Sequence, residues 1–357
     1  MDAHKTSRIY HYHVSIVFKG IGATARIGRK TSGYSSTHPF QDTFVFYQKS
    51  CHLVLSRTKK YDDGGILSNA SNSINTQIVK ALLCYYSITS DFPLVDKITI
   101  VRRSAKTPDY AYREASGFIQ PLVSKALRTL SCTPAIVDGL VENSQRGHAL
   151  RIAMSYWLKG ISSDDVYYKF EHLWRAFDRL FLYQGNKPTD HENMVIMRQF
   201  ILHNSASFPK SIAITNGYSE DKFLSYRWVR MILNDYATQN KTAALVDFIE
   251  RHHDGRIMRM LQQKLACRNE FLANEGKIGR VNSYIASNLT TTIDAELVTL
   301  LAIKYAYFVR NKMFHGEVID RTFRVRENNL DVEMRNLNEL LEVLVMELME
   351  NYHLLRA

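Results

Sequence analysis

The chain has 357 residues, of which 45% are hydrophobic and 23% are charged, as expected of a folded globular protein. It contains no apolar run near the roughly 20 residues that a membrane-spanning helix needs. Its four cysteines lie far apart without the paired spacing of a zinc site, so we expect reduced, buried thiols. The first residues lack the apolar stretch of a signal peptide. Together these features predict a cytoplasmic protein with no membrane partner.

The net charge of +11 is concentrated in the first part of the chain. Residues 1–150 hold 19 Lys and Arg against 10 Asp and Glu, whereas residues 151–357 hold 27 against 25. A local excess of cations attracts polyanions through phosphate contacts and the release of counterions, although many basic proteins bind no nucleic acid. Residues 1–150 are therefore predicted to be a basic domain for RNA binding, sensing or regulation.

The first 110 residues have the pattern of a small α+β domain. Residues 10–18 alternate between the two faces of a half-buried strand. A second strand or a bent pair of strands is predicted at 42–56, a third strand at 96–104, and a helix at 74–88. Residues 57–73 are a polar connection.

The stretch GIGATARIGRKT, at 20–31, ends like a phosphate-binding loop but lacks the required spacing. Five residues, where the pattern needs four, separate Gly22 from Gly28, and Arg29 takes the place of the glycine before Lys30. Nucleotide hydrolysis is therefore not expected. Arg26, Arg29 and Lys30 are instead predicted to contribute to a basic surface that faces RNA.

Long helical patterns begin at about residue 164. In 164–183 apolar residues recur at three- and four-residue spacings, and Ser163 with the two following aspartates predicts the start of the helix. Further helices are predicted at 192–203, 221–238, 241–253, 255–273, 294–315 and 332–355. Residues 151–357 are thus predicted to be an all-α domain.

The stretch YFVRNKMFHGE, at 307–317, carries polar residues at the end of a predicted helix. Arg310 and His315 lie about 140° apart on an unbroken helix, so they share a face only if the helix ends or distorts before the histidine. Gly316 favours such an end, because glycine commonly follows the last helical turn. Basic residues in a last turn also suit the helix dipole without any further role. The pattern alone leaves both interpretations open.

This stretch resembles the signature of the HEPN superfamily, in which four to six residues separate an arginine from a histidine. Its form here, RNKMFHG behind a tyrosine-containing helix, is especially similar to the Apea-like branch. That branch also carries an acidic residue in an early helix, and FEHLWRAFDRLF at 170–181 is similar to it, with Glu171 or Asp178 as the acid. The resemblance covers roughly residues 155–357 and implies an all-α HEPN-like helical bundle.

Many HEPN proteins are metal-independent endoribonucleases, and the resemblance implies this activity without a cofactor. His315 would exchange a proton with a ribose 2′-hydroxyl, Arg310 would bind the phosphate, and Asn311 would orient the reacting groups. The expected products carry 2′,3′-cyclic phosphate and 5′-hydroxyl ends, so DNA should not be cut.

The resemblance assigns further residues and partners. Asp178 or Glu171 would position the arginine or the histidine, unless each acid is a solvated partner of an arginine on its own helix. Lys312 is expected to contact RNA. Family members usually dimerise through these helices and often act in toxin–antitoxin or antiviral systems, which implies a homodimer and an antitoxin or regulatory partner. The alternative is a non-catalytic RNA-binding or dimerisation module, since inactive HEPN domains exist.

Two other patterns compete with this site. Arg198 and His203 repeat the spacing within MRQFILHN, at 197–204, but lack the asparagine and the glycine, so we interpret them as part of an amphipathic helix. His252, His253 and Asp254 would support a metal-dependent hydrolase, a third hypothesis. Adjacent histidines on a helix point about 100° apart, however, so a shared metal ion is not favoured. A helix that ends at Gly255 with cations in its last turn explains the same string.

Overall fold

The computed structural model describes residues 9–20, 25–34, 39–61, 65–89, 94–104, 107–114, 133–314 and 326–356. The chain forms two compact units, residues 1–164 with 348–357, and residues 165–347. The predicted boundary at residue 150 falls inside a helix of the first unit, Gln145–Ile161. The change to long helical patterns near residue 164 marks the boundary better than the change in charge at 150 does.

The first unit contains a six-stranded antiparallel sheet in the order β2-β3-β4-β1-β5-β6. Its strands are β1 (Tyr10–Phe18), β2 (Arg26–Tyr34), β3 (Phe40–Tyr47), β4 (Ser50–Arg57), β5 (Val95–Ser104) and β6 (Thr107–Glu114). The strands predicted at 10–18 and 96–104 are confirmed, and 42–56 forms the bent pair β3 and β4. The edge strands β2 and β6 escape prediction, because their sequences are polar and lack apolar alternation.

Helices pack against one face of the sheet, and the opposite face, which carries the exposed His11 and His52, is called the open face. The first unit has the helices α1 (Gly65–Ser68), α2 (Ser73–Thr89), α3 (Pro134–Val141) and α4 (Gln145–Ile161), of which α2 contacts β4 and α3 contacts β2. The alternate positions Tyr12, Val14, Ile16 and Phe18 of β1 are at most 3% exposed. Since side chains alternate across a strand, the residues between them lie on the open face.

Buried charges link the strands on the covered face. Arg57 donates to both carboxylate oxygens of Asp42 at 2.8 Å, and both side chains are at most 2% exposed. Lys80 donates to the Ser32 hydroxyl at 3.0 Å, and burial lowers the pKa of Lys80 to about 8. A buried charge is costly unless it is paired or hydrogen-bonded, so these bonds tie β2, β3, β4 and α2 together.

The described residues of the second unit form helices joined by turns, with no strand among them, which confirms a sheet-containing unit followed by a mostly helical region. Its helices are α5 (Val166–Gly185), α6 (Asp190–His203), α7 (Pro209–Asn216), α8 (Glu220–Leu224), α9 (Trp228–Asp235), α10 (Thr242–Glu250), α11 (Gly255–Lys264), α12 (Asn269–Asn274), α13 (Ile278–Asn288), α14 (Asp294–Thr299), α15 (Ala306–Phe314) and α16 (Asn329–Glu350), the last of which continues into the first unit. Within the described ranges, none of the helices has both the length and the apolar character needed to cross a bilayer.

Several predicted helices have different ends from those observed. Helix α5 begins one residue after Asp165, whose side chain accepts hydrogen bonds from the backbone N–H groups of Tyr167 and Tyr168. Asp165, and not Ser163, is therefore its N-cap, in agreement with the preference of Asp for this position. The helix predicted at 221–238 is divided into α8 and α9, and the one at 255–273 is interrupted by a 3₁₀ turn at Leu265–Arg268. Helices α3, α4, α7 and α13 are not predicted.

The long helix α16 supplies one side of the core of the helical unit. Its residues Leu337, Leu340, Leu341, Leu344 and Val345 are all 0% exposed. These positions are three and four residues apart, so they form one buried apolar face of the helix.

The helix predicted at 294–315 contains an irregular turn just before the motif. Residues Leu300–Tyr305 form a π-helical segment that joins α14 to α15. A π segment widens the helix locally, and such segments are frequent at functional sites. This segment sets the rotation of α15, which carries Arg310.

Candidate functional site

Helix α15 holds Arg310 between two aromatic rings. The guanidinium carbon lies 4.9 Å from the centre of the Phe314 ring and 5.9 Å from that of Tyr307. Nη1 of Arg310 donates to Oδ1 of Asn311 at 2.9 Å. Its Nε is buried without a hydrogen-bond partner, and Arg310 forms no ion pair with a carboxylate of the described residues. The guanidinium therefore keeps its charge and at least one donor that no described residue uses.

Of the two predicted acids, Asp178 on α5 is the one that interacts electrostatically with Arg310. Burial raises the pKa of the Asp178 carboxyl, and the positive charge of Arg310 acts in the opposite direction. Asp190 at the start of α6 raises the pKa of Asp178 as well, and Asp190 accepts a hydrogen bond from the Tyr307 hydroxyl at 3.0 Å. The structure thus brings Asp178 into the electrostatic environment of Arg310.

Glu171 is placed differently. It accepts a hydrogen bond from Arg175 at 2.6 Å, in an ion pair between residues four apart on α5. Both side chains are about one third or more exposed, at 32% and 44%. Glu171 therefore has the ordinary surface role that was the alternative to a site role.

The remaining motif residues are only partly described. Lys312 is half-buried on α15, and Asn311 orients the Arg310 guanidinium through the bond given above. Helix α15 is described as far as Phe314, and His315 and Gly316 lie outside the described residues. The approach of His315 to Arg310 therefore stays a prediction.

A cavity of about 410 Å³ lies beside the motif helix, within the helical unit. Tyr307 lines it, together with the π-segment residues Leu300, Ile303 and Lys304. Four cationic side chains and two carboxylates line its wall, namely Arg198, Lys241, Arg251, Lys304, Asp190 and Asp235. The cavity has the volume of a typical small-ligand site, and its charged groups are predominantly positive.

The competing pair Arg198 and His203 does not form a comparable site. Nη2 of Arg198 lies 3.1 Å from Oε1 of Glu296 and donates to the Arg251 carbonyl at 2.6 Å. Glu296 is only 2% exposed, so Arg198 has a structural ionic partner. His203 is exposed at the end of α6. Arg198 lines the cavity, but the structure does not bring Arg198 and His203 together at one site.

Packing explains the stretch IERHHDGR, at 249–256, which contains the two adjacent histidines. His252 is buried and its Nδ1 lies 2.8 Å from the Phe248 carbonyl oxygen, while Asp254 is the N-cap of α11. The prediction that a helix ends at Gly255 is wrong, because Gly255 is the first residue of α11. A Cβ at this position would overlap the backbone carbonyl oxygen of Leu289. Across the residues that the structure describes, no group of three or more His, Cys, Asp and Glu could hold a metal ion.

The three predicted RNA-facing cations of the first unit do not share one surface. Arg26 and Arg29 are exposed and pair with Tyr47 and Val45 of β3, on the open face of the sheet. Lys30 lies on the covered face and forms an ion pair with Asp138 of α3. The stretch forms strand β2 in place of a phosphate-binding loop.

Sequence reasoning misses other cations on the same open face. Lys97, Arg103 and Arg113 belong to β5 and β6, and the strand register places them there. No local motif marks them, because only the pairing of distant strands brings them beside β2. The alternation of KITIVRR in β5 is the one local signal for which residues point outward.

Searches against protein-family profiles, curated proteins and solved structures found no match to this chain.

Proposed function

We propose that the helical unit is a HEPN-like, metal-independent endoribonuclease with its active site at the end of α15. The main observation in support of the proposal is that Arg310 is held in place but has no carboxylate partner among the described residues. Its guanidinium is held by two rings and by Asn311, while its buried Nε has no partner and no described carboxylate neutralises it. A positioned arginine of this kind suits a phosphate group, which it can bind in a bidentate manner.

The proposed reaction is an internal transfer within RNA. His315 accepts the proton of a ribose 2′-hydroxyl, whose oxygen attacks the adjacent phosphorus as the bond to the 5′-oxygen breaks. The leaving 5′-oxygen takes a proton from water and His315 returns its proton to water, so the products are a 2′,3′-cyclic phosphate and a 5′-hydroxyl. Arg310 stabilises the charge that develops on the phosphate oxygens. DNA is not a substrate, because it has no 2′-hydroxyl.

Asp178 has a positioning role in this scheme. The positive charge of Arg310 favours the ionised form of the Asp178 carboxyl, so the carboxylate in turn attracts the guanidinium. Since the structure records no ion pair between the two, the attraction orients Arg310 without occupying its donors. We propose that Glu171 has no part in the chemistry.

The test is cleavage of RNA in the presence of a chelator. Wild-type protein and His315→Ala are incubated with single-stranded and structured RNA, and the ends of the products are analysed. We expect cleavage by the wild type alone, with cyclic phosphate ends, and unchanged RNA binding by the variant. His203→Ala is the matched control, because His203 stands in the competing motif and is exposed. Equal cleavage by wild type and His315→Ala would refute the assigned site.

A non-catalytic module for RNA binding or dimerisation is the second candidate. The observation in its favour is Phe314, which is 49% exposed although it contacts the Arg310 guanidinium. An exposed ring at a helix end suits a homodimer interface in which a second copy covers it. This candidate predicts that no RNA is cut under any condition, and that Phe314→Ser lowers the fraction of dimer in analytical ultracentrifugation.

A further inference from the structure

The open face of the sheet carries a continuous row of side chains from one edge strand to the other. The register joins Arg29 of β2 to Arg113 of β6 through one residue of each strand between them, namely Val45, His52, Ser15 and Thr99. At about 4.8 Å between neighbouring strands, this row is about 24 Å long. Both of its ends are exposed arginines.

The two faces of the sheet differ in their acidic residues. The register places five cations on the open face and pairs no Asp or Glu there; the cations are Arg26, Arg29, Lys97, Arg103 and Arg113. The exposed Asp96 is the extra residue of a bulge in β5, next to Lys97. None of the five forms an ion pair with a carboxylate of the described residues. The covered face contains the acids Asp42 and Glu114 beside the cations Lys30, Arg57 and Arg102. A face with such an excess of cations attracts a polyanion.

The centre of the open face carries flat rings. His52 is exposed, and its ring meets that of Tyr47 edge to face with 5.4 Å between centroids. His11 and His13 stand on the adjacent strand β1, and His11 is exposed. Aromatic and imidazole rings stack on unpaired bases, whereas paired bases in a duplex present only their edges.

We propose that the open face of the sheet binds single-stranded RNA, with the cations at both edges on the phosphates and the rings between them on the bases. The positive charge and the exposed rings together favour single-stranded RNA as the ligand of this face. A membrane surface would need exposed large apolar side chains, and Val54, at 41%, is the one such residue that the register places on the described part of this face. The inference rests on the proposed function only for the choice of RNA over single-stranded DNA.

Binding is measured by fluorescence anisotropy with a labelled, single-stranded 2′-O-methyl RNA of about 12 nucleotides, within the range of known single-strand sites. Such RNA cannot be cut through its 2′-oxygen, so binding is read whether or not the protein is a ribonuclease. The double variant Arg29→Glu with Arg113→Glu is expected to lose at least tenfold in affinity. The loss of two phosphate contacts should also lower the slope of log affinity against log salt by about 1.4.

The matched control is Lys187→Glu with Arg230→Glu, which changes the net charge equally at two exposed residues of the helical unit. Its affinity should stay within a factor of two of the wild type. Equal losses in both double variants would overturn the proposal, because net charge and not the face would then govern binding. Arg29→Gln with Arg113→Gln serves as the milder pair if far-ultraviolet circular dichroism shows that charge reversal unfolds the sheet.

Two further arms separate this proposal from other occupants. Duplex RNA of the same sequence should bind at least tenfold more weakly, and equal binding of the duplex would overturn the stacking of unpaired bases. Binding of anionic phospholipid vesicles with no binding of single-stranded RNA would assign the face to a membrane and overturn the proposal. A face variant that loses binding while the wild type shows no cleavage would leave this inference intact and count against the ribonuclease alone.

Discussion

His252 should make the stability of the helical unit depend on pH. The imidazole is 3% exposed, and burial, reinforced by the nearby charge of Arg198, lowers its pKa to about 3. In the unfolded chain a histidine titrates near pH 6.5, so below that pH the unfolded state binds a proton that the folded state refuses. The contribution of the neutral ring is therefore complete above pH 6.5 and is lost as the pH falls toward 3. Linkage gives a loss of about 2 kcal/mol between pH 7 and pH 5.

The assay is urea unfolding of three proteins at both pH values. Glutamine in His252→Gln cannot take up the proton, so this variant should lose about 2 kcal/mol less than the wild type between pH 7 and pH 5. His203→Gln, at an exposed histidine, should lose as much as the wild type does. Only the change with pH is compared, because His252→Gln also removes packing at both pH values. Identical changes in the wild type and His252→Gln would refute the idea that the folded unit keeps this ring neutral.

Two further predictions use matched pairs of residues. Gly255→Ala should lower the free energy of unfolding by about 1–3 kcal/mol, since the new Cβ meets a backbone carbonyl that cannot move aside. Gly279→Ala, in open space on α13, should raise it by up to about 1 kcal/mol, and thermal unfolding of both variants checks this. In RNA cleavage assays Asp178→Asn should lower the rate about tenfold to a hundredfold by misplacing Arg310, whereas Glu171→Gln should leave it unchanged. A larger effect of Glu171→Gln would contradict the placement of the two acids.

Elements with a strong periodic pattern are the ones that the sequence predicts well. Strand β1 and helix α16 each carry apolar residues at a single period, and in both elements the face formed by these residues is buried. In β1 and in α16, burial of one face supplies most of the stabilisation. The spacing of the apolar residues therefore predicts both the type of element and the face that is buried.

Features that arise from distant contacts are not predictable from local sequence. Strand β2 is polar and becomes a strand because it pairs with β3. Its Lys30 lies on the covered face because it pairs with Phe44, and there it meets Asp138. Gly255 looks like a helix terminator until α13 and the loop after it are seen to approach its backbone. The candidate site shows the same division. The arginine and the asparagine can be named from a motif, but the unpartnered Nε and the cavity beside Tyr307 depend on how α15 packs.

The path of the chain through the two units affects how the protein folds during synthesis. The chain leaves the first unit after residue 164 and returns to it at residue 348, after the whole of the helical unit. Tyr352 then packs against α3 and α4, where its ring contacts the Arg146 guanidinium, and Leu355 is 2% exposed. A ribosome therefore releases all of the residues of the helical unit before it releases the segment that completes the first one. The helical unit can therefore fold first. Until residues 348–357 are released, the parts of α3 and α4 that they contact stay uncovered.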